Sequence, residues 1–124
     1  MLWVLYIAYA WLGLGYLMMG LSAWNIVLES TALHAWTAGA ISTMIIGMAA
    51  RVSLGHTGRP IEASPLLRLA FIAMTVAAML RVFGVILLPA HYLPVIVVSG
   101  LIWATAFLVV FVMFLRVWTS PRFR

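Results

Sequence analysis

Cysteine is absent from this 124-residue chain, and so are lysine and aspartate. Without thiols there are no disulfides, no iron–sulfur clusters and no covalently attached c-type haem, which needs C-x-x-C-H. The only acids are Glu29 and Glu62, so the paired intramembrane carboxylates of a proton-coupled carrier are missing. No H-E-x-x-H, no P-loop and no nucleophile–base–orienter set is present either, which argues against a self-contained hydrolase.

The bulk of the chain is apolar. Hydrophobic residues make up 67%, charged ones 7%, and the mean hydropathy is +1.21. A soluble domain of this length cannot bury that much apolar surface, so the class is an all-α integral membrane protein. A helix needs about 20 apolar residues to cross a bilayer. Four such runs occur, at roughly 2–24, 33–52, 65–88 and 94–117, predicting a single four-helix transmembrane bundle. Glu29-Ser30-Thr31 reads as a short polar turn, with Ser30 or Thr31 able to cap the second helix. Residues 53–64 read as the longest loop, ending in Ser64-Pro65, an N-cap followed by proline at the first helical position. Pro89 and Pro94 bracket a tight turn. The first run starts almost at Met1, with no charged n-region and no cleavage motif, and reads as a retained helix in a short gene product.

All seven basic residues are arginine, and the net charge is +5. Arg51, Arg59 and Arg68 flank the 53–64 loop, while Arg116, Arg122 and Arg124 sit near the C-terminus. The positive-inside rule then puts both termini and the 53–64 loop in the cytoplasm. The positive charge matches an anionic leaflet, and no nucleic-acid footprint is implied. Trp24, Trp36 and Tyr92 fall at the outer boundary and Trp118 at the inner one, as expected of an aromatic belt. Small residues at spacing four predict close helix contacts: Ala35, Gly39, Thr43 and Gly47; Ala70, Ala73, Ala77, Arg81 and Gly84; Ala10, Gly13 and Gly20; Gly100 and Ala104. Such stripes either pack backbone on backbone or clear room for a flat ligand, and they turn Arg51 and Arg81 toward protein.

The polar residues divide by membrane side. Arg81 lies inside the third span, where an unpartnered arginine costs a few kcal/mol. It either snorkels to the headgroups or pairs with Glu29 or an anionic cofactor group. His34 and His91 belong to the outer face and are able to share a metal ion. His56, between Gly55 and Gly58 and flanked by Arg51 and Arg59, belongs to the inner loop, in an anion-friendly nest. From His34 to the inner end of its helix is roughly 27 Å at 1.5 Å per residue, so His34 and His56 cannot ligate one metal within a subunit.

Residues 34–60, HAWTAGAISTMIIGMAARVSLGHTGRP, resemble the central signature of the NnrS family, approximately H-A-L-T-x-G-A-I-G-T-M followed by R-x-S-L-G-H-T-G-R. RLAFIAMTVAAMLRVFGVILLP and SGLIWATAFLVVFVMFLR resemble the next two spans, so the likeness covers nearly the whole chain. Ser42 stands where the pattern has glycine. The family implies a multi-pass protein of the bacterial inner membrane, with haem and copper, linked to the nitric oxide response and denitrification. Position by position, the resemblance makes His34, Arg51, His56, Arg59 and Arg81 cofactor candidates. His34, His56 and His91 are the available metal ligands, for a b-type haem and for copper. The chain corresponds to the C-terminal part of a typical member, so either further ligands come from a homo-oligomer or a larger membrane complex, or the cofactor has been lost. The rival readings are a cofactor-free structural subunit of a respiratory complex and a small channel, the latter disfavoured by the lack of acids to line a cation path.

Overall fold

The computed structural model describes residues 1–121; Arg122 and Arg124 lie outside the described residues. Four helices are each long and apolar enough to cross a membrane, and no strand occurs among the described residues. They are α1 (Trp3–Ala23), α2 (Glu29–His56), α3 (Pro65–Leu87) and α4 (Tyr92–Thr119), the last preceded by a 3-10 turn at Pro89–His91. Helices α2 and α3 form the middle of the bundle, with α1 packed along α2 and α4 packed along α3.

The connections obey local backbone chemistry. α1 ends at Asn25, which takes a left-handed φ of 60°, while Asn25 and Ile26 donate their N–H groups to the Ser22 and Leu21 carbonyls. This is the Schellman arrangement, which satisfies the last carbonyls of a helix. α2 ends the same way: Gly58 has φ 71°, Gly58 N–H donates to Gly55 and Arg59 N–H to Leu54. The Thr57 hydroxyl donates to the Ser53 carbonyl at 2.7 Å and closes the last turn. α3 starts as its sequence predicts, with Ser64 Oγ accepting from Leu67 N–H at 3.2 Å and Pro65 at the first helical position. Ser64→Ala is expected to destabilise the fold by about 1 kcal/mol, read as a lowered melting temperature in detergent.

α2 is longer at both ends than its apolar run. Glu29, Ser30 and Thr31 form its first turn and not a preceding loop; the N-cap is Leu28, with no side-chain cap. The acid in that turn suits the positive helix N-terminus, and Thr31 is buried. At the other end the helix runs through Ser53, Leu54, Gly55 and His56, so the loop shrinks to residues 57–64. Gly55 is helical; only Gly58 needs glycine's freedom. Polar residues continue the helix because Ser53 faces inward and accepts a hydrogen bond from the Trp118 indole at 3.0 Å.

Two buried clusters make the core. Nearer the 57–64 loop, all four helices contribute: Val4, Ile46, Phe71, Met74, Val110 and Phe114 among others. Nearer the 88–91 turn, the cluster holds Trp11, Met18, Ala32, Ala35, Ala40, Ala78 and Val82, from α1, α2 and α3 alone. α4 adds no residue to this second cluster; its Val95 packs against Gly84 of α3, and a gap remains between it and α2. Two glycines on α1 and α2 let indoles pack onto backbone: Trp36 lies across Gly15 and Trp11 across Gly39. Trp36 is therefore half-buried, its Nε1–H donating to the Leu12 carbonyl at 3.2 Å. The α2 stripe does pack, with Gly47 against Val4 and Gly39 against Trp11. On α1, Gly13 and Gly20 have open space where a Cβ would stand, so that stripe makes no contact within the chain.

Candidate functional site

The polar centre of the bundle lies where the core lacks α4. His34 sits on α2 five residues beyond its start, and Arg81 sits on α3 six residues before its end, which places both roughly 8 Å inside the helix ends at 1.5 Å per residue. Arg81 Nη2 and His34 Nε2 are 2.9 Å apart. The other ring nitrogen, Nδ1, is 2.5 Å from the Ser30 carbonyl. A guanidinium has donors and no acceptor, so Nε2 must carry the lone pair and Nδ1 the proton. The Ser30 carbonyl therefore fixes the tautomer, as the supporting group of a metal-binding histidine commonly does.

His34 immediately precedes a widened turn and Arg81 lies within another. In α2 the segment Ala35–Ile41 is π-helical, and in α3 so is Leu80–Gly84. A π turn inserts a residue into the helical repeat and rotates the rest of the helix about its axis, and such turns recur at functional sites. Here the Ser42 hydroxyl donates to the Thr37 carbonyl, five residues back, at 2.7 Å. That leaves Ser42 Oγ able to accept from the Trp103 indole of α4 at 3.1 Å.

Between these two polar contacts runs a cleft of about 520 Å³ bounded by α2, α3 and α4. His34 and Arg81 stand at one end, Ser42 and Trp103 at the other, and its walls include Ile41, Ala77, Ile96 and Gly100. Small-molecule sites typically occupy about 300–1,000 Å³ with apolar walls and a few placed polar groups. The missing Cβ of Gly100 opens into empty space, so this small residue clears room instead of packing. A smaller cavity of about 70 Å³, lined by Ser30, Thr31, His34, Arg81, Val85 and Tyr92, lies beside the same pair.

The other sequence candidates are elsewhere. Arg81 hydrogen bonds His34, and the Glu29 side chain is exposed at the start of α2. His91, in the 3-10 turn, is exposed and lines neither cavity beside His34. Arg51 is half-buried, His56 is exposed at the end of α2, and Arg59 Nη1 donates to the Val117 carbonyl at 3.5 Å. His56 is 22 residues from His34 along one helix, about 33 Å. Among the described residues no three His, Cys, Asp or Glu side chains come together around a possible metal ion. Ser42 and Trp103 are site residues that sequence reading passed over; Ser42 stood out only as a departure from the family's glycine.

These features define an all-helical, multi-span membrane protein with a histidine–arginine pair heading an interhelical cleft. A family model described as NnrS protein matches residues 1–122, and the chain belongs to the NnrS family. No match is found among curated proteins or among solved structures.

Proposed function

We propose that the chain is an NnrS-type haem-binding protein of the bacterial cytoplasmic membrane, acting in the response to nitric oxide. The observation that carries this reading is the His34–Arg81 pair at the head of the apolar cleft. The donor set fits a b-type haem: one neutral imidazole with its far nitrogen anchored, one guanidinium suited to a carboxylate, and a long apolar slot. His34 would hold the haem iron through Nε2 and Arg81 would hold a propionate, which requires Arg81 to give up its imidazole partner for the carboxylate. Haem iron with an open position binds small diatomics such as nitric oxide directly. The protein's own part is to exclude water, orient the imidazole through Ser30 and offset the propionate charge inside the membrane.

Among the described residues no three His, Cys, Asp or Glu side chains gather into a copper site. Copper, in this reading, needs ligands from a second copy or from a larger membrane complex. Arg51, His56 and Arg59 belong to the basic end of the bundle, which the positive-inside rule assigns to the cytoplasm together with both termini.

The test is an optical spectrum and haem assay of the protein purified with haem present. One haem per chain with a Soret band is expected, and a colourless protein at saturating haem would overturn the reading. Arg81→Leu is expected to weaken haem binding by roughly 10- to 100-fold, the worth of a charge-assisted hydrogen bond, while Arg81→Lys recovers part of it.

A further inference from the structure

We propose that the small cavity beside the His34–Arg81 pair binds one small monovalent anion, the counter-ion of Arg81. The first ground is a charge without an opposite. Arg81 lies within the third span, and its guanidinium donates to His34 Nε2 at 2.9 Å. That imidazole is neutral, because Nε2 has to accept. No carboxylate stands within ion-pair distance of Arg81 among the described residues. Glu29 is exposed at the start of α2 and does not line the cavity, and Glu62 is in the 57–64 loop at the other end of the bundle. A guanidinium held within a span is costly unless it is paired, and an anion at its side supplies the missing charge.

The second ground is a buried hydroxyl with nothing to bond. Thr31 lines the cavity and is 4% exposed, and its hydroxyl makes no hydrogen bond among the described residues. Helical threonines commonly turn their hydroxyl back to the carbonyl one turn earlier, as Thr37, Thr75 and Thr105 do here. Thr31 has no helical turn behind it, because α2 starts at Glu29. A buried hydroxyl left unmatched is costly, so this one needs a partner in the cavity. The Tyr92 hydroxyl, from the start of α4, also lines the cavity without a hydrogen bond. The Ser30 carbonyl, by contrast, is engaged by His34 Nδ1. Free donors and one fixed positive charge select an anion over a cation. Water would satisfy the hydroxyls and leave the charge uncompensated. The volume of about 70 Å³ sets the size: a water molecule needs about 10–15 Å³ of such space, so an ion of a few heavy atoms fits and a bulky headgroup does not. The site stands without haem. If Arg81 turns to a propionate, that carboxylate and the anion compete for one guanidinium.

Chloride is the probe. The haem-free full chain in detergent is moved from sodium gluconate to sodium chloride at constant ionic strength, and its melting temperature is followed by tryptophan fluorescence. A melting temperature that climbs with chloride along a one-site curve is expected, since gluconate is too large to enter. Thr31→Val keeps the side-chain shape and removes the hydroxyl, and should raise the half-saturating chloride concentration about tenfold. Tyr92→Phe should raise it about threefold. Arg81→Gln should abolish the response and Arg81→Lys should keep it, while His91→Ala, outside the lining, leaves it unchanged. Equal melting temperatures in the two salts would overturn the proposal and leave water as the occupant. A chloride response untouched by Thr31→Val and Tyr92→Phe would overturn it too, as screening of exposed arginines, and this arm stands even if the Arg81 variants do not fold. With haem absent throughout, failure here leaves the haem reading intact.

Discussion

His34→Ala is expected to remove the Soret band, weakening haem binding by at least about 100-fold, whereas His56→Ala and His91→Ala leave the spectrum unchanged. Loss of a group that merely supports a metal ligand costs roughly 10- to 100-fold, and loss of the ligand itself costs more. His34 alone of the three histidines lines the cleft. His56 is at the far end of α2 and His91 is exposed in the 88–91 turn. The same substitution leaves Arg81 without its partner at 2.9 Å, so the variant also has a guanidinium to satisfy within the membrane. Added imidazole should restore part of the band if the alanine variant keeps its fold, because the Ser30 carbonyl remains to receive the Nδ1–H. A spectrum that survives His34→Ala and fails with His56→Ala would move the site to the opposite end of the bundle.

The largest effect on folding is expected at Gly39. A Cβ there would lie 2.5 Å from Trp11 Cδ2 and 2.7 Å from its Cγ, closer than carbon atoms tolerate. Trp11 is 4% exposed and packs near Phe83, with ring centroids 6.3 Å apart, so the indole has nowhere to go. Gly39→Val should cost about 3 kcal/mol or more, at the upper end of overpacking penalties. It should do so by parting α1 from α2, the packing in lipid that depends on small residues. Gly13→Ala is the control: nothing lies within 4 Å of its would-be Cβ, and alanine's better helix propensity makes it neutral or slightly stabilising. Thermal unfolding in detergent, followed by tryptophan fluorescence, distinguishes the two. Equal melting points would show that the indole has another place to sit.

Much of the architecture is legible from apolar run lengths, because a bilayer imposes them. α1 and α3 begin and end within a residue or two of their runs, and the Ser64-Pro65 start follows from side-chain chemistry alone. The ends of α2 are harder. Gly55 and Gly58 look alike in sequence, yet only Gly58 takes the left-handed turn, and the difference lies in which carbonyls the Arg59 and Gly58 N–H groups reach. Small-residue stripes mark faces without naming partners: those on α2 pack against α1, while Gly13 and Gly20 face outward. His34 and Arg81 stand out individually as polar residues in apolar spans. Their pairing does not, because it joins positions 47 residues apart across two π turns that shift the helical phase away from 3.6 residues per turn. A periodicity count has no means of registering such a shift.

The indole contacts of α4 have a steric consequence. Trp103 donates to Ser42 and Trp118 to Ser53, so α4 is pinned to α2 at two heights. The intervals differ, 11 residues on α2 and 15 on α4, about 16 and 22 Å of helix. A slip of one turn would break both bonds with no new pair falling into place. From His34 to Ser42 is eight residues, about 12 Å, and with α4 unable to slide that depth is fixed. The upper parts of α3 and α4 meet through Gly84 and Val95, with no side-chain hydrogen bond between them among the described residues. An occupant is thus gauged strictly along the membrane normal and leniently in the membrane plane, where its surplus width is free to emerge into lipid.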